Sequence, residues 1–275
     1  MVSLSIMRVV FSPPSLHAQE RVEGGEKIAL MARPSLAIAD GSPAFQTGAQ
    51  HEKGKRRMIT LYHCDAARSF RPLWMLEEMG LPYELKMLPF PPRVFAKEYL
   101  ALNPLGTIPF MIDGETRMTE SSGICHYLGT RHGPTPLIVG VDEPAYGAFL
   151  NWMYFSDATL TFPQTLVLRY TQLEPEERRN PQVATDYAKW FLGRLRAVEA
   201  ATANAETLAA GRFTAADIVI GYALRLAETI GLAKDFGPNV AAYWARLTAR
   251  DGYQRAVAAE TRAGTEQNVA PRVRA

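Results

Sequence analysis

One stretch, residues 103–128, constrains the fold of this chain more than any other. Apolar residues alternate with others in its first part, as in a half-buried strand, at Ile108, Phe110 and Ile112. The dipeptide Asp113-Gly114 favours a two-residue hairpin turn, and residues 116–119 can form the return strand. From Ser121 onward the apolar spacing is that of one helical face, with Ile124, Tyr127 and Leu128. The stretch therefore predicts a strand, a tight turn, a second strand and a helix.

The same stretch has features that suit the binding of a small peptide. Ile108-Pro109 is a bond that tolerates the cis form, and Pro109 donates no ladder hydrogen bond, so the backbone beside it can face a ligand. The N–H groups at the start of the helix form a natural carboxylate site, with the Ser121 hydroxyl beside them. Glu120 is then available to bind an amine. These features fit a ligand with a peptide backbone and an α-amino acid end, and the alternative is an ordinary helix start.

The residues that precede this stretch predict a strand, a helix and a second strand. Residues 58–63 form a near-continuous apolar run, which is typical of a buried parallel strand. A helix over residues 69–79 should end at Gly80, before Pro82, and residues 83–87 alternate as a strand does. A right-handed crossover makes the two strands parallel. Together with residues 103–128, the order is βαβ-ββα, which is a thioredoxin-like α/β fold.

The second half of the chain predicts an all-helical domain. Asn180-Pro181 has the pattern of a helix start, and Thr214 and Asp217 form a capping box that serves folding. Phe162-Pro163 should kink or end a helix, and helical periodicity fades after Gly252. We therefore predict a thioredoxin-like domain at 58–133, a linker at 134–141, a helical domain at 142–263 and a frayed tail at 264–275.

The first 57 residues differ from the rest in pattern and charge. They are rich in Ser, Pro, Gly and Ala, and carry 8 Lys and Arg against 5 Asp and Glu, a net +3, whereas the remainder carries −1. We expect a disordered leader, which an overlong start assignment could explain. A signal peptide is the alternative, but Arg8 interrupts its short apolar core. The folded part lacks the basic surface expected of a nucleic-acid-binding protein.

The length of the apolar runs and the number of cysteines indicate where in the cell the protein works. No apolar run approaches the roughly 20 residues that a membrane span needs, so no membrane partner is expected. The two cysteines, Cys64 and Cys125, cannot supply a disulfide framework, which favours a reducing compartment such as the cytoplasm. His63 stands beside Cys64, but no other His or Cys lies near them in sequence, so no metal site is expected.

Residues 103–128 resemble the glutathione-binding signature of the cytosolic, bacterial-type glutathione transferases. NPLGTIPFM follows N-P-x-G-x-[IV]-P-x-[FL] except at the last position, where Met111 replaces Phe or Leu, and ESSGI matches E-S-x-x-I. Upstream, ITLYH and RSFRPLWMLEEMGLPYEL are similar to the family's first strand, helix and second strand, and the Thr214–Asp217 box is also found in the family. The resemblance extends from about residue 58 to about residue 259. It implies a homodimer in the cytoplasm, with the helix after Ser121 and the helix around Trp152 at the interface.

The resemblance also implies a reaction and its binding residues. Glutathione would be the co-substrate, without a metal, and its thiolate would attack a hydrophobic electrophile in detoxification. The glutathione-binding residues would be Ile108, Pro109, Glu120 and Ser121, with the Ile108 backbone paired to the cysteinyl part. The electrophile would lie between the domains, against Tyr154, Phe155, Phe162 and Leu166. For each of these four residues, core or dimer packing is the alternative.

The sequence does not identify the group that would stabilise the thiolate. Relatives of several classes have Ser or Cys at the positions that match Ala66, Ala67 or Arg68, and this chain departs from that pattern. Tyr62 lies at the register of the catalytic tyrosine of some classes. Ser69 could donate a hydrogen bond or cap a helix, and Arg68 could supply a cation or a surface ion pair. Backbone N–H groups alone, or no catalysis, are the remaining possibilities.

Two other functions are compatible with the same sequence. The two alanines in the loop fit a non-catalytic glutathione-fold protein, acting as a ligand carrier or an interaction module. A glutathione-dependent disulfide or peroxide reductase is the second alternative. Dithiol exchange would need a cysteine at position 67, which is Ala67, and Cys64 at the end of a buried strand is more often a core residue. Conjugation to an electrophile is therefore the first hypothesis.

Overall fold

The structure is a computed structural model, and it describes residues 58–271. The predicted leader, residues 1–57, and the last four residues of the predicted tail lie outside this part. Its sheet has four strands in the order β2-β1-β3-β4, with β1 parallel to β2 and antiparallel to β3, and β3 antiparallel to β4. The strands are β1 Ile59–His63, β2 Tyr83–Met87, β3 Phe110–Asp113 and β4 Thr116–Met118. The thioredoxin-like prediction is confirmed.

Three helices accompany the sheet: α1 Phe70–Met79, α2 Pro92–Phe95 and α3 Ser121–Arg131. A short 3-10 helix, Lys97–Ala101, follows α2. The α1 helix ends at Gly80, whose φ of 62° is left-handed and whose N–H binds the last turn, as predicted. The α1 helix packs against α3 and β1, and it also packs against two helices of the second half, α7 Ala215–Thr229 and α9 Asp251–Glu266. It therefore joins the sheet to the helical part.

The second half of the described chain is helical, as predicted. Its first long stretch alternates between α and π geometry. The helix α4 Tyr146–Phe155 is followed by a π-helical segment at Ser156–Thr161, then by α5 Phe162–Leu168 and by a second π-helical segment at Arg169–Leu173. The chain therefore continues as a helix through Phe162-Pro163, where the sequence predicts a kink or an end, because Pro163 lies in the first turn of α5. The remaining helices are α6 Pro181–Ala201 and α8 Pro238–Thr248.

The α1 and α7 helices pack closely in the core. Gly221 of α7 faces Trp74 of α1, and a Cβ at Gly221 would come within 2.7 Å of the Trp74 ring. The capping box at the start of α7 is confirmed, with the Thr214 N–H donating to the Asp217 carboxylate at 2.8 Å. The buried Asp217 also accepts a hydrogen bond from the Tyr243 hydroxyl at 2.8 Å. The box thus connects α7 to α8. In the described residues no helix is long and apolar enough to cross a membrane.

Two local predictions need correction. The hairpin turn is formed by Gly114-Glu115, one residue later than predicted, because Asp113 still pairs with Thr116 in the ladder. Gly114 has a φ of 60°, so glycine takes the left-handed position of the turn. The tail predicted from residue 264 is also shorter, because α9 continues to Glu266 and Gln267 then binds the backbone of β2.

Candidate active site

The loop before β3 brings a cis peptide bond to the edge of a cleft. The Ile108-Pro109 bond is cis, with Pro109 buried and Ile108 half-buried. The cleft beside Ile108 has a volume of about 160 Å³. The N-terminal half of the chain contributes Ala67, Arg68, Phe90, Pro92, Arg93, Gly106, Thr107 and Ile108, and the helical half contributes Thr165, Leu168, Tyr222 and Leu226. The cleft therefore lies between the sheet-containing part and the helices.

The N-terminus of α3 carries the predicted carboxylate site. Glu120 is exposed and has extended backbone geometry at the residue before the helix, and its carbonyl accepts a hydrogen bond from the Ile124 N–H at 2.8 Å. The first N–H groups of a helix have no partner within the helix, so those of the first turn can bind a ligand anion. Ser121 and Ser122 are buried at this end. Carboxylate binding at this helix start stays a prediction.

Both serines bind groups that the sequence reasoning did not single out. The Ser121 Oγ accepts a hydrogen bond from Arg71 Nη1 at 2.8 Å, and the Ser122 hydroxyl donates to Asp157 Oδ2 at 2.5 Å. Arg71 lies in α1, and Asp157 lies in the first π-helical segment. Because Arg71 can only donate, the Ser121 hydroxyl retains its own hydrogen for another acceptor. The start of α3 is therefore hydrogen-bonded to α1 and to the first π-helical segment.

Arg71 is the centre of this network. Its side chain is fully buried, and all five of its N–H donors have partners, which lie on three different helical elements. Its guanidinium also lies 4.7 Å from the centre of the Tyr222 ring. A buried cation is tolerated only when it is paired and fully hydrogen-bonded. The five acceptors are Val219 O, Ser121 Oγ, Asp157 Oδ1, Ser156 Oγ and Thr161 Oγ1.

Asp157 carries the negative charge of the network. Burial by itself would raise the pKa of this carboxyl, but the Arg71 charge, the hydrogen bonds from Ser122 and Arg71, and the nearby Arg68 outweigh it and lower the pKa. Asp157 is therefore ionised at neutral pH. The π geometry of its segment places Ser156, Asp157 and Thr161 around Arg71, and π turns in helices are often found at functional sites.

Only one of the three predicted catalytic side chains lies in the cleft. The Arg68 side chain is about one-third exposed, lines the cleft, and has Nη1 at 3.6 Å from Asp157 Oδ1. Ser69 is fully buried, and its hydroxyl oxygen accepts a hydrogen bond from the Cys64 N–H at 3.4 Å. Tyr62 packs against Tyr99 and Phe110, with ring centres 5.4 and 5.8 Å away. The contacts of Tyr62 and Ser69 are therefore with other core residues, whereas Arg68 faces the cleft.

The predicted second-substrate residues do not line this cleft. Phe155 and Phe162 border a separate groove of about 300 Å³, which also contains Trp190 and Arg194. Tyr154 is 66% exposed on α4, and Leu166 lies on α5 beside Thr165. The helical residues that do face the cleft come from α5 and α7. The predicted pocket at Tyr154, Phe155, Phe162 and Leu166 stays a prediction, and the helical side of the cleft is lined by Thr165, Leu168, Tyr222 and Leu226.

The thiols of the described residues are poorly placed for chemistry. Cys64 and Cys125 are fully buried, and burial raises the pKa of the Cys125 thiol well above its ordinary value. The Cys64 Sγ lies 3.8 Å from the Pro89 carbonyl oxygen, as a weak donor. His63 binds Glu260 through Nε2 at 2.9 Å. Within residues 58–271, no group of three or more His, Cys, Asp or Glu is arranged to hold a metal ion.

Sequence comparison with known proteins relates this chain to one family. Residues 67–131 match the family model described as the glutathione S-transferase N-terminal domain. Glutathione S-transferase 3 of Schizosaccharomyces pombe is 35% identical over 103 residues, 38% of this chain and 43% of that protein. Glutathione S-transferase hmp2 of Hypomyces subiculosus is 35% identical over 144 residues, 49% of this chain and 68% of that protein. This chain belongs to the glutathione S-transferase family.

Solved structures of the family share the fold. The glutathione transferase URE2P8 of Phanerochaete chrysosporium, solved with oxidized glutathione, has a TM-score of 0.67 and 20% identity, covering 77% of this chain and 99% of that chain. Ure2p5 of the same organism was cocrystallized with 1-(S-glutathionyl)-2,4-dinitrobenzene and has the same score, identity and coverage of this chain, with 98% of its own chain covered. At this identity the likeness shows the fold alone. The match to the fission yeast relative spans less than half of that protein's length.

For this member of the family, Arg71 and Asp157 were not predicted from the sequence. A usable signal was present at Arg71, which lies in the apolar first turns of α1, between Phe70 and Leu73. A charged residue at such a position indicates a buried, paired group. No comparable signal marked Asp157, because its partners are 35 and 86 residues distant in sequence.

Proposed function

We propose that this protein is a glutathione transferase that conjugates the thiolate of glutathione to an electrophilic small molecule. In the proposed complex, the carboxylate of the γ-glutamyl end binds the first N–H groups of α3 and the Ser121 hydroxyl. The amine of the same end binds Glu120, and the cysteinyl backbone pairs with Ile108 beside the cis bond. Of these groups, Glu120 is exposed and Ile108 lines the cleft, whereas Ser121 is buried at the helix start.

The position of Arg68 is the observation that carries the proposal. Arg68 lines the same cleft as Ile108, and its guanidinium is 3.6 Å from Asp157, which in turn binds Ser122 at the start of α3. The candidate carboxylate site, the candidate peptide-binding strand and a cation are therefore adjacent. A cation near a thiol favours the thiolate, which is the reactive form.

The proposed chemistry follows from that charge. The glutathione thiol loses its proton to solvent, and Arg68, together with N–H groups of the loop and the α1 start, stabilises the anion. The sulfur electron pair forms a bond to the electrophilic carbon, and the leaving group departs with its own bonding pair. Arg68 is retained at this position by Asp157, which remains ionised because its pKa is lowered.

The electrophile is proposed to bind in the cleft against the helical half. The helical half contributes two leucines, a tyrosine and a threonine to the lining, so it favours a mostly apolar molecule. At about 160 Å³ the cleft is small, which favours a compact electrophile over a bulky one. The lining residues are Thr165, Leu168, Tyr222 and Leu226.

A carrier without catalysis is the second candidate, and a specific observation favours it. Ala66 and Ala67 occupy the positions where a hydroxyl or thiol is usual, and the one serine nearby, Ser69, is fully buried. If Arg68 does not lower the thiol pKa, the site would bind glutathione without activating it. A disulfide or peroxide reductase has less support, because both cysteines are fully buried.

The assembly and location of the protein are part of the same proposal. We expect a cytoplasmic homodimer that uses α3 and the part of α4 around Trp152. The 66% exposure of Tyr154 on α4 supports a contact surface there. The division into a sheet-containing domain and a helical domain at residues 134–141 also stays a prediction.

A conjugation assay tests the proposed reaction. The full chain is mixed with glutathione and 1-chloro-2,4-dinitrobenzene, and formation of the glutathionyl conjugate is followed by absorbance and mass spectrometry. We expect a rate well above that of the two reagents without protein, and a rate near that background for Arg68→Met. A wild-type rate equal to the background, in a sample that binds glutathione, would favour the carrier.

A further inference from the structure

One buried carboxylate near the C-terminus binds the loop between β1 and α1, residues 64–69. Glu260 lies in α9 and is 2% exposed. Its Oε1 accepts a hydrogen bond from the Ala66 N–H at 3.0 Å and lies 2.9 Å from Nε2 of His63, and its Oε2 pairs with Arg225 of α7. Glu260 therefore joins the end of β1, the loop after it, α7 and α9.

The backbone conformation of Ala66, the loop residue that Glu260 contacts, must be stabilised by other parts of the protein. Ala66 has a φ of 54°, in the left-handed region that an alanine adopts at a cost. Such a conformation persists only when surrounding contacts fix it. The hydrogen bond from the Ala66 N–H to a buried, ionised carboxylate is a strong contact of this kind. Without it, the loop would be expected to relax.

The same loop carries the residues that face the cleft. The Ala67 N–H binds the Cys64 carbonyl at 3.2 Å, so residues 64–67 form one tight turn. Ala67 and Arg68 directly follow Ala66 and line the cleft. A change in the backbone at Ala66 would therefore move the Arg68 side chain and the adjacent N–H groups.

The negative charge of Glu260 is balanced by Arg225. Arg225 lies between Glu260 and the Phe70 ring, with its guanidinium 3.6 Å from the ring centre. Because an ionised carboxylate can only accept hydrogen bonds, His63 must donate through Nε2. The carboxylate is thus oriented by two donors and has its Oε1 directed at the loop.

We infer that Glu260 is a positioning residue for the thiolate-stabilising loop, holding Ala66 so that Arg68 and the loop N–H groups face the glutathione sulfur. This inference rests on the proposed function for its catalytic consequence. Glu260 does not line the glutathione cleft, and it acts through the Ala66 backbone. Simple docking of α9 onto the sheet is the competing explanation.

Two variants of Glu260 separate these explanations. Glu260→Gln keeps the shape but removes the charge, and Glu260→Asp keeps the charge against Arg225 but shortens the reach to Ala66. The matched control is Glu78→Gln, because Glu78 is also a buried carboxylate paired with an arginine near α9. It binds Arg250 at 2.8 and 2.9 Å and lies at the C-terminal end of α1, whereas the loop precedes the N-terminal end. Thermal unfolding first establishes that each variant is folded.

The first measurement compares binding with chemistry. Each Glu260 variant should raise the thiol pKa of bound glutathione by about half a unit or more and lower kcat at least about 5-fold, while KM for glutathione changes less than about 2-fold. Glu78→Gln should lose thermal stability but keep the thiol pKa and kcat. If both Glu260 variants lose only thermal stability, as the control does, the inference is overturned.

The second measurement needs no glutathione and therefore separates this inference from the proposed function. Hydrogen exchange, read by mass spectrometry, is followed in a peptide that covers residues 64–69. Both Glu260 variants should exchange at least about 10-fold faster there, and Glu78→Gln should match the wild type. Unchanged exchange in the Glu260 variants would overturn the inference, whether or not the wild type binds or activates glutathione.

Discussion

Arg71 Nη1 lies 2.8 Å from Ser121 Oγ, so a residue of the first helix fixes the start of the helix that would bind the ligand carboxylate. The same guanidinium pairs with Asp157, which holds Ser122 and lies near Arg68. The binding residues and the candidate catalytic cation thus share one buried network. A change in that network should affect binding, thiol chemistry and stability in different proportions.

Replacing Ser121 by alanine tests the carboxylate site. The hydroxyl hydrogen is available to a ligand, because the oxygen already accepts the Arg71 N–H. Losing one hydrogen bond to a charged group should weaken glutathione binding about 10-fold, or about 1.4 kcal/mol, by calorimetric titration. Thr130→Ala, an exposed change at the far end of α3, is the control and should leave the affinity unchanged. Equal affinities for all three proteins would contradict the site.

Replacing Arg68 by methionine tests the thiolate stabiliser. Without the cation, the thiol pKa of bound glutathione should rise by about one unit and kcat should fall about 10-fold, with a smaller effect on affinity. Tyr62→Phe is the matched test of the rival group. Tyr62 packs against Tyr99 and Phe110, so the turnover of the Tyr62→Phe variant should equal that of the wild type. The assignment fails if Tyr62→Phe loses turnover and Arg68→Met does not.

Replacing Arg71 by methionine should destabilise the protein strongly. The change removes the buried cation that pairs with Asp157 and the donor to Ser156 and Thr161, and breaking a buried pair typically costs about 3–5 kcal/mol. Urea unfolding measures the loss. Arg169→Met is the control, because Arg169 forms a surface ion pair with Glu174 at 2.7 Å, and its loss should cost less than about 1 kcal/mol. Similar losses in both variants would contradict a central role for Arg71.

Glu260 should make part of the stability depend on acid pH. Burial would raise its pKa, but the hydrogen bond from His63 and the Arg225 charge hold the pKa at about 2, below the ordinary 4.5. Because the folded pKa is the lower one, this stability is present above about pH 4.5 and is lost as the pH falls toward 2. The loss should be on the order of 3 kcal/mol, and chemical unfolding between pH 5 and 2.5 would detect most of it.

The matched variants for this acid dependence are Glu260→Gln and Glu228→Gln. Glu260→Gln removes the titrating group, so its stability should fall less steeply with decreasing pH than that of the wild type. Glu228 is exposed on α7, and its replacement should leave the slope unchanged. A Glu260→Gln slope equal to the wild-type slope would show that another group dominates the acid dependence.

The sequence predicted the features that depend on nearby residues. The four strands, the left-handed Gly80, the Thr214–Asp217 box and the helix from Ser121 all follow from local spacing and capping chemistry. The hairpin turn was predicted one residue early, because Asp113-Gly114 is the favoured pair in isolation, whereas the ladder keeps Asp113 paired with Thr116. Strand pairing therefore outweighed the local turn preference.

The features that depend on distant residues could not be predicted in this way. Asp157 meets Arg71 and Ser122 only after the helical half packs against α1, and Glu260 reaches Ala66 across 194 residues of sequence. The cleft lining was missed for the same reason, since α5 and α7 face the loop by tertiary packing. Helical periodicity identifies an apolar face but does not say which element that face contacts.

The titration of the glutathione thiol in the bound state tests the central claim most directly. The full chain is saturated with glutathione, and thiolate absorbance in the ultraviolet is followed as a function of pH, with free glutathione as the reference. A free thiol has a pKa near 8.5. We predict a value at least about one unit lower for the bound thiol. A bound thiol that titrates with the pKa of free glutathione would contradict the account and favour a carrier.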